Sequence, residues 1–170
     1  MPIIRKAKLR DVPAMLKMIN AYAESRLLLP RTLADLSENI ADFMVAEERG
    51  KVVGCGALKL YDHDIAEIRS LCVEANRKNS GLGSALTAQL LDDAEHRGLK
   101  TVFALTVAPE FFLKCGFHEA PREKFPMKIW RDCLHCPKLF HCDEKTVAFN
   151  LAAKHASLHH VRSERAGVSA

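Results

Sequence analysis

The segment Lys78-Asn79-Ser80-Gly81-Leu82-Gly83-Ser84 lies where an apolar, strand-like run ending at Val73 gives way to a helical pattern. Glycines at such a junction permit positive φ and let the backbone approach a ligand. The first N–H groups of a helix have no partner within it, and the dipole adds roughly half a positive charge at that end. A pyrophosphate is the natural guest there. Lys78 adds a full cation and Ser80 a hydroxyl. The pattern is not a Walker loop, because no Lys-Ser/Thr pair follows the last glycine, and it lacks the three-glycine dinucleotide fingerprint. Glycines at a strand-to-helix turn also serve structure alone, so the loop by itself leaves both readings open.

A second group with chemical potential is Cys133-x-x-Cys136 with Cys142, near His135 and His141. These are zinc-type residues, and Cys133, Cys136, Cys142 and His141 are the candidate ligands. Structural zinc sites usually pair two such knuckles, and only one is present. Zinc, free thiols, and a redox-labile disulfide or another metal stay open as readings. The functional form would be a clip holding Trp130 to Glu144 over a pocket; the other is a loop with incidental thiols. Cys55, Cys72 and Cys115 stand in apolar segments and are expected to behave as small buried hydrophobes.

The elements that position these groups follow from pattern. Pro2 to Ala7 reads as an opening strand, and Asp11 as the cap of a helix running to about Ser25, with Val12, Met15, Leu16, Ile19 and Ala23 on one face. Thr32 opens a second helix carrying Leu33, Leu36 and Ile40. Phe43 to Glu47 and Val52 to Leu60 are strands joined at Arg49-Gly50, and a turn at Asp62 to Asp64 leads into the strand Ile65 to Val73. Leu82, Leu86, Leu90 and Ala94 recur every four residues in a helix reaching about Arg97, ended by Gly98. Thr101 to Leu105 is a buried-type strand, Pro109 to Lys114 a short helix, Phe117 the start of an extended piece, and Thr146 to Asn150 a last strand. The expected fold is α/β, a mixed and mainly antiparallel central sheet flanked by helices. One domain is expected over residues 1–150, followed by a frayed tail over 151–170.

Composition narrows the partners. The chain has 170 residues, 48% of them hydrophobic and 27% charged, as in ordinary globular proteins. A formal charge of +4 suits an anionic coenzyme or dicarboxylate and falls short of the basic footprint of a nucleic-acid binder. No N-terminal signal-like run and no apolar stretch of spanning length appear, so no membrane partner is expected and the cytoplasm is the default compartment.

Three stretches together carry a family likeness: Ala66-Glu67-Ile68-Arg69-Ser70-Leu71-Cys72-Val73, the loop Lys78 to Gly83, and Phe111-Phe112-Leu113-Lys114-Cys115-Gly116-Phe117. Over roughly Pro2 to Phe117 the sequence resembles the GCN5-related N-acetyltransferase (GNAT) superfamily. The family loop reads Gln/Arg-x-x-Gly-x-Gly/Ala; here Lys78 replaces the Gln or Arg, and Asn79 stands where a further glycine is common. Asn tolerates left-handed backbone, so the geometry can survive. The resemblance implies acetyl-CoA as cosubstrate, its pyrophosphate gripped by Lys78 to Ser84 and its pantetheine arm paired along Leu71, Cys72 and Val73. A narrower likeness rests on Leu28-Leu29-Pro30-Arg31, on Ala66 to Leu71, and on Lys128-Ile129-Trp130 with Cys133, Cys136, Pro137 and Lys138, followed by Cys142-Asp143-Glu144. These look like the short bacterial N-acetylglutamate synthases. That likeness implies transfer of acetyl to the α-amino group of L-glutamate, the first step of arginine biosynthesis.

An α-amine must lose a proton before it attacks a thioester, and a general base contributes about two to four powers of ten in rate. Glu67 is the candidate base by resemblance; otherwise it is an exposed sheet carboxylate paired with Arg69. A backbone N–H near Leu71 can serve the oxyanion. Thr106 sits where the synthases place a hydroxyl, as a candidate acid for the leaving thiolate, while a thiolate leaving without an acid is the alternative. Family members often carry a tyrosine where this chain has Phe111 and Phe112. Two carboxylates on the substrate call for paired cations. Arg31 matches the family's glutamate-binding arginine, Arg69 and Ser70 follow, and Arg26, Arg122 and Lys138 are further candidates.

Three other classes compete with this reading. They are acetylation of another small amine or a protein N-terminus, a non-catalytic acetyl-CoA-binding module, and a zinc-dependent nucleic-acid or protein-binding domain. A homodimer is a guess from sheet-edge pairing.

Overall fold

Alternation explains why the sheet has a core on both faces. In the computed structural model, which describes residues 1–152, strand β2 (Phe43–Glu48) sends Phe43 and Val45 to one side and Met44 and Ala46 to the other. Helix α1 (Val12–Glu24) covers the first side with Val12, Met15 and Ile19, joined by Leu36 of α2 (Leu33–Glu38). Helix α3 (Leu82–His96) covers the second with Leu86, Leu90 and Ala94, as the period-four spacing predicts. The remaining elements are β1 (Ile3–Lys6), β3 (Lys51–Leu60), β4 (Ile65–Val73), β5 (Thr101–Thr106), α4 (Pro109–Lys114), β6 (His118–Glu119), α5 (Pro126–Arg131) and β7 (Lys145–Asn150). Among the described residues no helix is long and apolar enough to cross a membrane.

The seven-stranded sheet runs β1-β2-β3-β4-β5-β7-β6. All neighbours are antiparallel except β4 and β5, which are parallel and joined through α3. Their pairing covers only Ile65↔Thr101, Ala66↔Val102 and Glu67↔Phe103. Beyond Glu67 the two strands part, and a cleft opens in the middle of the sheet.

A bulge shapes the same stretch of β4. Cys55 faces Cys72 and Ala57 faces Arg69, so Ser70 and Leu71 together oppose Gly56. Ser70 takes φ 53°, and a Cβ on Gly56 would lie 2.9 Å from Leu71 Cδ1 and 3.0 Å from Leu90 Cδ1. A side chain at Gly56 would therefore displace the ends of both leucines.

Several local expectations change. Asp11 does not cap α1 with its side chain. Its carboxylate accepts bonds from Arg5 at 2.7 and 3.0 Å and from the Lys8 amide at 2.8 Å, because a guanidinium offers a stronger partner than a helix-end amide. Thr32 does cap α2, accepting from the Asp35 amide at 3.1 Å. Leu33 is exposed, since α2 turns only one short face inward. Cys55 and Cys72 are buried but Cys115 is half-buried, its thiol 3.8 Å from the Ser84 hydroxyl. The segment α5 is a helix the sequence pattern does not single out. The tail expected from residue 151 lies, from 153 onward, outside the described residues; Leu151 is buried and its amide donates to the Lys100 carbonyl.

Candidate active site

The cleft between β4 and β5 holds a cavity of about 270 Å³. Its lining includes Arg31, Glu67, Arg69, Ser70, Leu71, Cys72, Val73, Gly83 and Thr106, so nine of the sequence-derived candidates meet in one space. Phe111 and Phe112 of α4 form an apolar part of the wall. Helix α5 contributes Lys128, and the irregular segment just before β7 contributes Glu144.

The glycine loop sits at one mouth. Gly81 is the residue before α3 with φ 82°, and Asn79 takes φ 61°, the left-handed conformation its side chain tolerates. No side chain caps α3, and its first helical bond runs from the Ala85 amide to Gly81. The N–H groups of Leu82, Gly83 and Ser84 thus form the helix end that suits a phosphate. Other parts of the loop face elsewhere. The Leu82 side chain is buried in the core, leaving only its backbone to offer. The Ser80 hydroxyl donates to the Arg77 carbonyl at 2.6 Å, and the Lys78 ammonium rests 5.1 Å over the Tyr22 ring. The Tyr22 hydroxyl in turn donates to the Val73 carbonyl at 2.8 Å, so that carbonyl already has a partner.

Arg31 is held from both ends. Asn20 accepts from its amide at 2.9 Å and donates to its carbonyl at 3.0 Å, and its side chain reaches Ser70 Oγ at 3.2 Å and Asp35 at 3.1 Å. The left-handed turn at Ser70 directs that hydroxyl to Arg31. Arg69 lines the same cavity, and its Nε–H is buried with no partner. Its guanidinium stands 3.6 Å from Asp132 rather than beside Glu67.

Glu67 is buried, not an exposed sheet carboxylate. Its Oε2 accepts from the Tyr61 hydroxyl at 2.8 Å and from Lys128 Nζ at 3.0 Å. The pairing with Arg69 expected from strand alternation gives way because Arg69 finds Asp132, four residues after Lys128 at the end of α5. Asp132 Oδ2 itself accepts from Lys128 at 3.0 Å and from Tyr61 at 2.5 Å. Burial alone would lower the Lys128 ammonium, but Glu67 and Asp132 outweigh it and hold it above its usual range. Burial pushes the Glu144 carboxyl up, with Glu67 adding to this against the pull of Lys138 and Lys128.

Thr106 ends β5 at the cavity wall, and its Oγ accepts from the Ala108 amide at 3.0 Å, leaving its own hydrogen to donate. Arg26 does not line this cavity. Arg122 and Lys138 line a small neighbouring hollow of about 40 Å³ with Cys133, Cys136 and Cys142. There Arg122 donates to Cys142 Sγ at 3.1 Å and to the Glu144 carbonyl at 3.1 Å, and Cys136 Sγ accepts from the Lys138 amide at 3.4 Å. The sulfurs face cations and amides. Among the described residues no group of three or more His, Cys, Asp or Glu is gathered to hold a metal, and His141 is exposed, so the zinc reading has no support here. The six cysteines are free.

Tyr61 and Asp132 are the site residues that sequence reasoning passes over, and Lys128 and Glu144 enter it only within the family-like stretch, with no role. The signal available was the i,i+4 spacing of Lys128 and Asp132 after Pro126, a helix start with a charge pair on one face.

Residues 11–117 match the acetyltransferase (GNAT) family profile. The chain belongs to that family. It is 40% identical over 141 residues to an uncharacterised N-acetyltransferase of Chlorobaculum tepidum, covering 83% of this chain and 91% of that one. It is also 40% identical over 121 residues to an amino-acid acetyltransferase of Mycobacterium tuberculosis, covering 69% of each. Among solved structures, the N-acetylglutamate synthase of Neisseria gonorrhoeae complexed with coenzyme A and N-acetyl-glutamate superposes with TM-score 0.79 at 28% identity. That match covers 89% of this chain but 35% of the gonococcal one, so the chain spans about a third of its length. As a GNAT family member with these relatives, the protein is an acetyl-CoA-dependent N-acetyltransferase.

Proposed function

We propose that this acetyltransferase transfers the acetyl group of acetyl-CoA to the α-amino group of L-glutamate, the entry step of arginine biosynthesis. The observation that carries the reading is that Arg31, bonded to Ser70, and Arg69 both line the cavity that also holds the buried carboxylate of Glu67. Two guanidinium groups suit an acceptor with two carboxylates, and forked donors orient each one. The names of the mycobacterial and gonococcal relatives support the same acceptor class.

In this mechanism the first turn of α3 holds the coenzyme pyrophosphate, and the edge of β4 at Leu71 to Val73 runs beside the pantetheine arm. Arg31 and Arg69 bind the acceptor carboxylates and set its amine toward the thioester. Glu67 removes the proton from the ammonium. A backbone N–H near Leu71 supports the developing oxyanion. As the intermediate collapses, Thr106 gives its hydroxyl proton to the departing sulfur and recovers the second proton of the attacking nitrogen.

The test is thiol release from acetyl-CoA with a panel of free amino acids and amines, using blocked-thiol controls. Saturable turnover with L-glutamate that Glu67→Gln abolishes and Arg31→Ala weakens through KM is the expected result. Turnover only with other amines would sink the glutamate assignment, and coenzyme binding without turnover would sink the enzymatic one.

A further inference from the structure

We propose that Tyr61 and Asp132 form a relay that carries the proton taken up by Glu67 out of the cavity. The inference rests on Glu67 acting as the base, and it starts from counting hydrogens. Glu67 Oε2 and Asp132 Oδ2 each touch the same two groups, the Tyr61 hydroxyl and the Lys128 ammonium. Lys128 has three N–H bonds and satisfies both carboxylates at once. Tyr61 has a single O–H hydrogen for two carboxylate oxygens, at 2.8 and 2.5 Å. With both carboxylates ionised, one of those contacts has no hydrogen in it. One added proton completes the set: a Glu67 carboxyl O–H donates to Tyr61 Oη, and the Tyr61 O–H donates to Asp132.

Glu67 acquires that proton when it deprotonates the acceptor. Discharge then needs two coordinated hops. The Glu67 O–H bond breaks as a new Oη–H bond forms, and the original Oη–H bond breaks as Asp132 Oδ2–H forms. Tyr61 gains and loses one proton and stays neutral. Burial, and next the charges of Glu67 and Asp132, push the Tyr61 hydroxyl well above the ordinary phenol range, so it passes a proton on only while receiving one.

Direction follows from exposure. The Glu67 side chain is 4% exposed and that of Asp132 36%, so Asp132 is the solvent end. Burial would raise its carboxyl, but the bonds from Tyr61 and Lys128 and the charges of Lys128 and Arg69 hold it below the usual range. It therefore hands the proton to water readily. Around the relay stand Lys128, Arg69, Glu144, and Arg131, which donates to the Tyr61 carbonyl at 3.4 Å and lies 6.0 Å over its ring. The Phe103 ring, 5.6 Å away, contacts the same tyrosine. Tyr61 and Asp132 act through Glu67 and are positioning residues of the reaction.

Overall, acetyl transfer to an ammonium releases one thiol and one proton. The test follows both in the first turnover by stopped flow, with a thiol reagent and a pH indicator in weak buffer. Wild-type enzyme should release them together. Tyr61→Phe keeps the ring and removes only the relay oxygen; its proton should trail its thiol, with kcat down at least roughly tenfold. Asp132→Asn, at a half-exposed position, should behave alike, and the double variant should lose no more than either single one. Concurrent proton and thiol release in both single variants overturns the relay. Glu67→Gln separates the two readings. If it keeps full turnover, the base assignment fails; if it is inactive while Tyr61→Phe and Asp132→Asn release as wild type, the relay alone fails.

Discussion

Arg31 Nε–H donates to Ser70 Oγ at 3.2 Å, joining a loop between two helices to the bulge of a central strand 39 residues away. The hydroxyl reaches that position because Ser70 adopts φ 53°, and the arginine because Asn20 holds its backbone from both sides. Replacing Arg31 with Ala should raise the acceptor KM by roughly 10- to 100-fold, the loss of a charged hydrogen bond worth about 1.5–3 kcal/mol. Coenzyme affinity, measured by calorimetry, should stay unchanged. Asn20→Ala should move the same KM in the same direction by less.

Lys128 stabilises the site as an ion, not as a packing group. Its side chain is 11% exposed, and its two carboxylate partners would be left without their cation in Lys128→Met. Removing one partner of a buried pair costs about 3–5 kcal/mol. Urea unfolding should show a loss of that order. Lys128→Met together with Glu67→Gln should recover part of it, since no unpaired charge then remains at Glu67.

Gly56→Ala tests the bulge. The added methyl would press on the Cδ1 ends of Leu71 and Leu90, and both must shift to admit it. Overpacking of this kind costs about 1–3 kcal/mol. A thermal melt should show Tm falling by several degrees, and coenzyme affinity should fall too, because Leu71 lines the cavity.

Asp11 sets a pH dependence. The bond from Arg5 holds its carboxyl below the usual range, against the opposing effect of burial. A carboxylate depressed in the folded state adds stability above the unfolded value of about 3.9, and that stability is lost as pH falls through the folded value. Wild type should therefore exceed Asp11→Asn in stability at neutral pH. The gap should close on acidification below about pH 4, as read by denaturant midpoints across a pH series.

What was legible in the chain was local. The leucine spacing of α3, the Thr32 cap and the turns at Gly50 and Gly98 each depend on a few neighbouring residues. The Asp11 cap failed because a distant choice, the Arg5 guanidinium, won over a nearby amide. Tyr61, Lys128 and Asp132 were not legible for a related reason. They come from the end of β3 and a six-residue helix with too few turns to show a period, and only the fold makes them neighbours. The Ser70 turn was hidden likewise, since the bulge it belongs to forms only against the facing strand.

The wall formed by α5 and Glu144 begins beyond residue 117, where the family match ends. The proposed acceptor residues Arg31, Glu67 and Arg69 lie inside the matched length, and only part of the wall facing them lies outside it. Substitutions after residue 117 can therefore reshape one side of the pocket while both arginines and the loop before α3 stay as they are. Evolution, or an engineer, can retune the fit of an acceptor from the last third of the chain without rebuilding the charges that hold it.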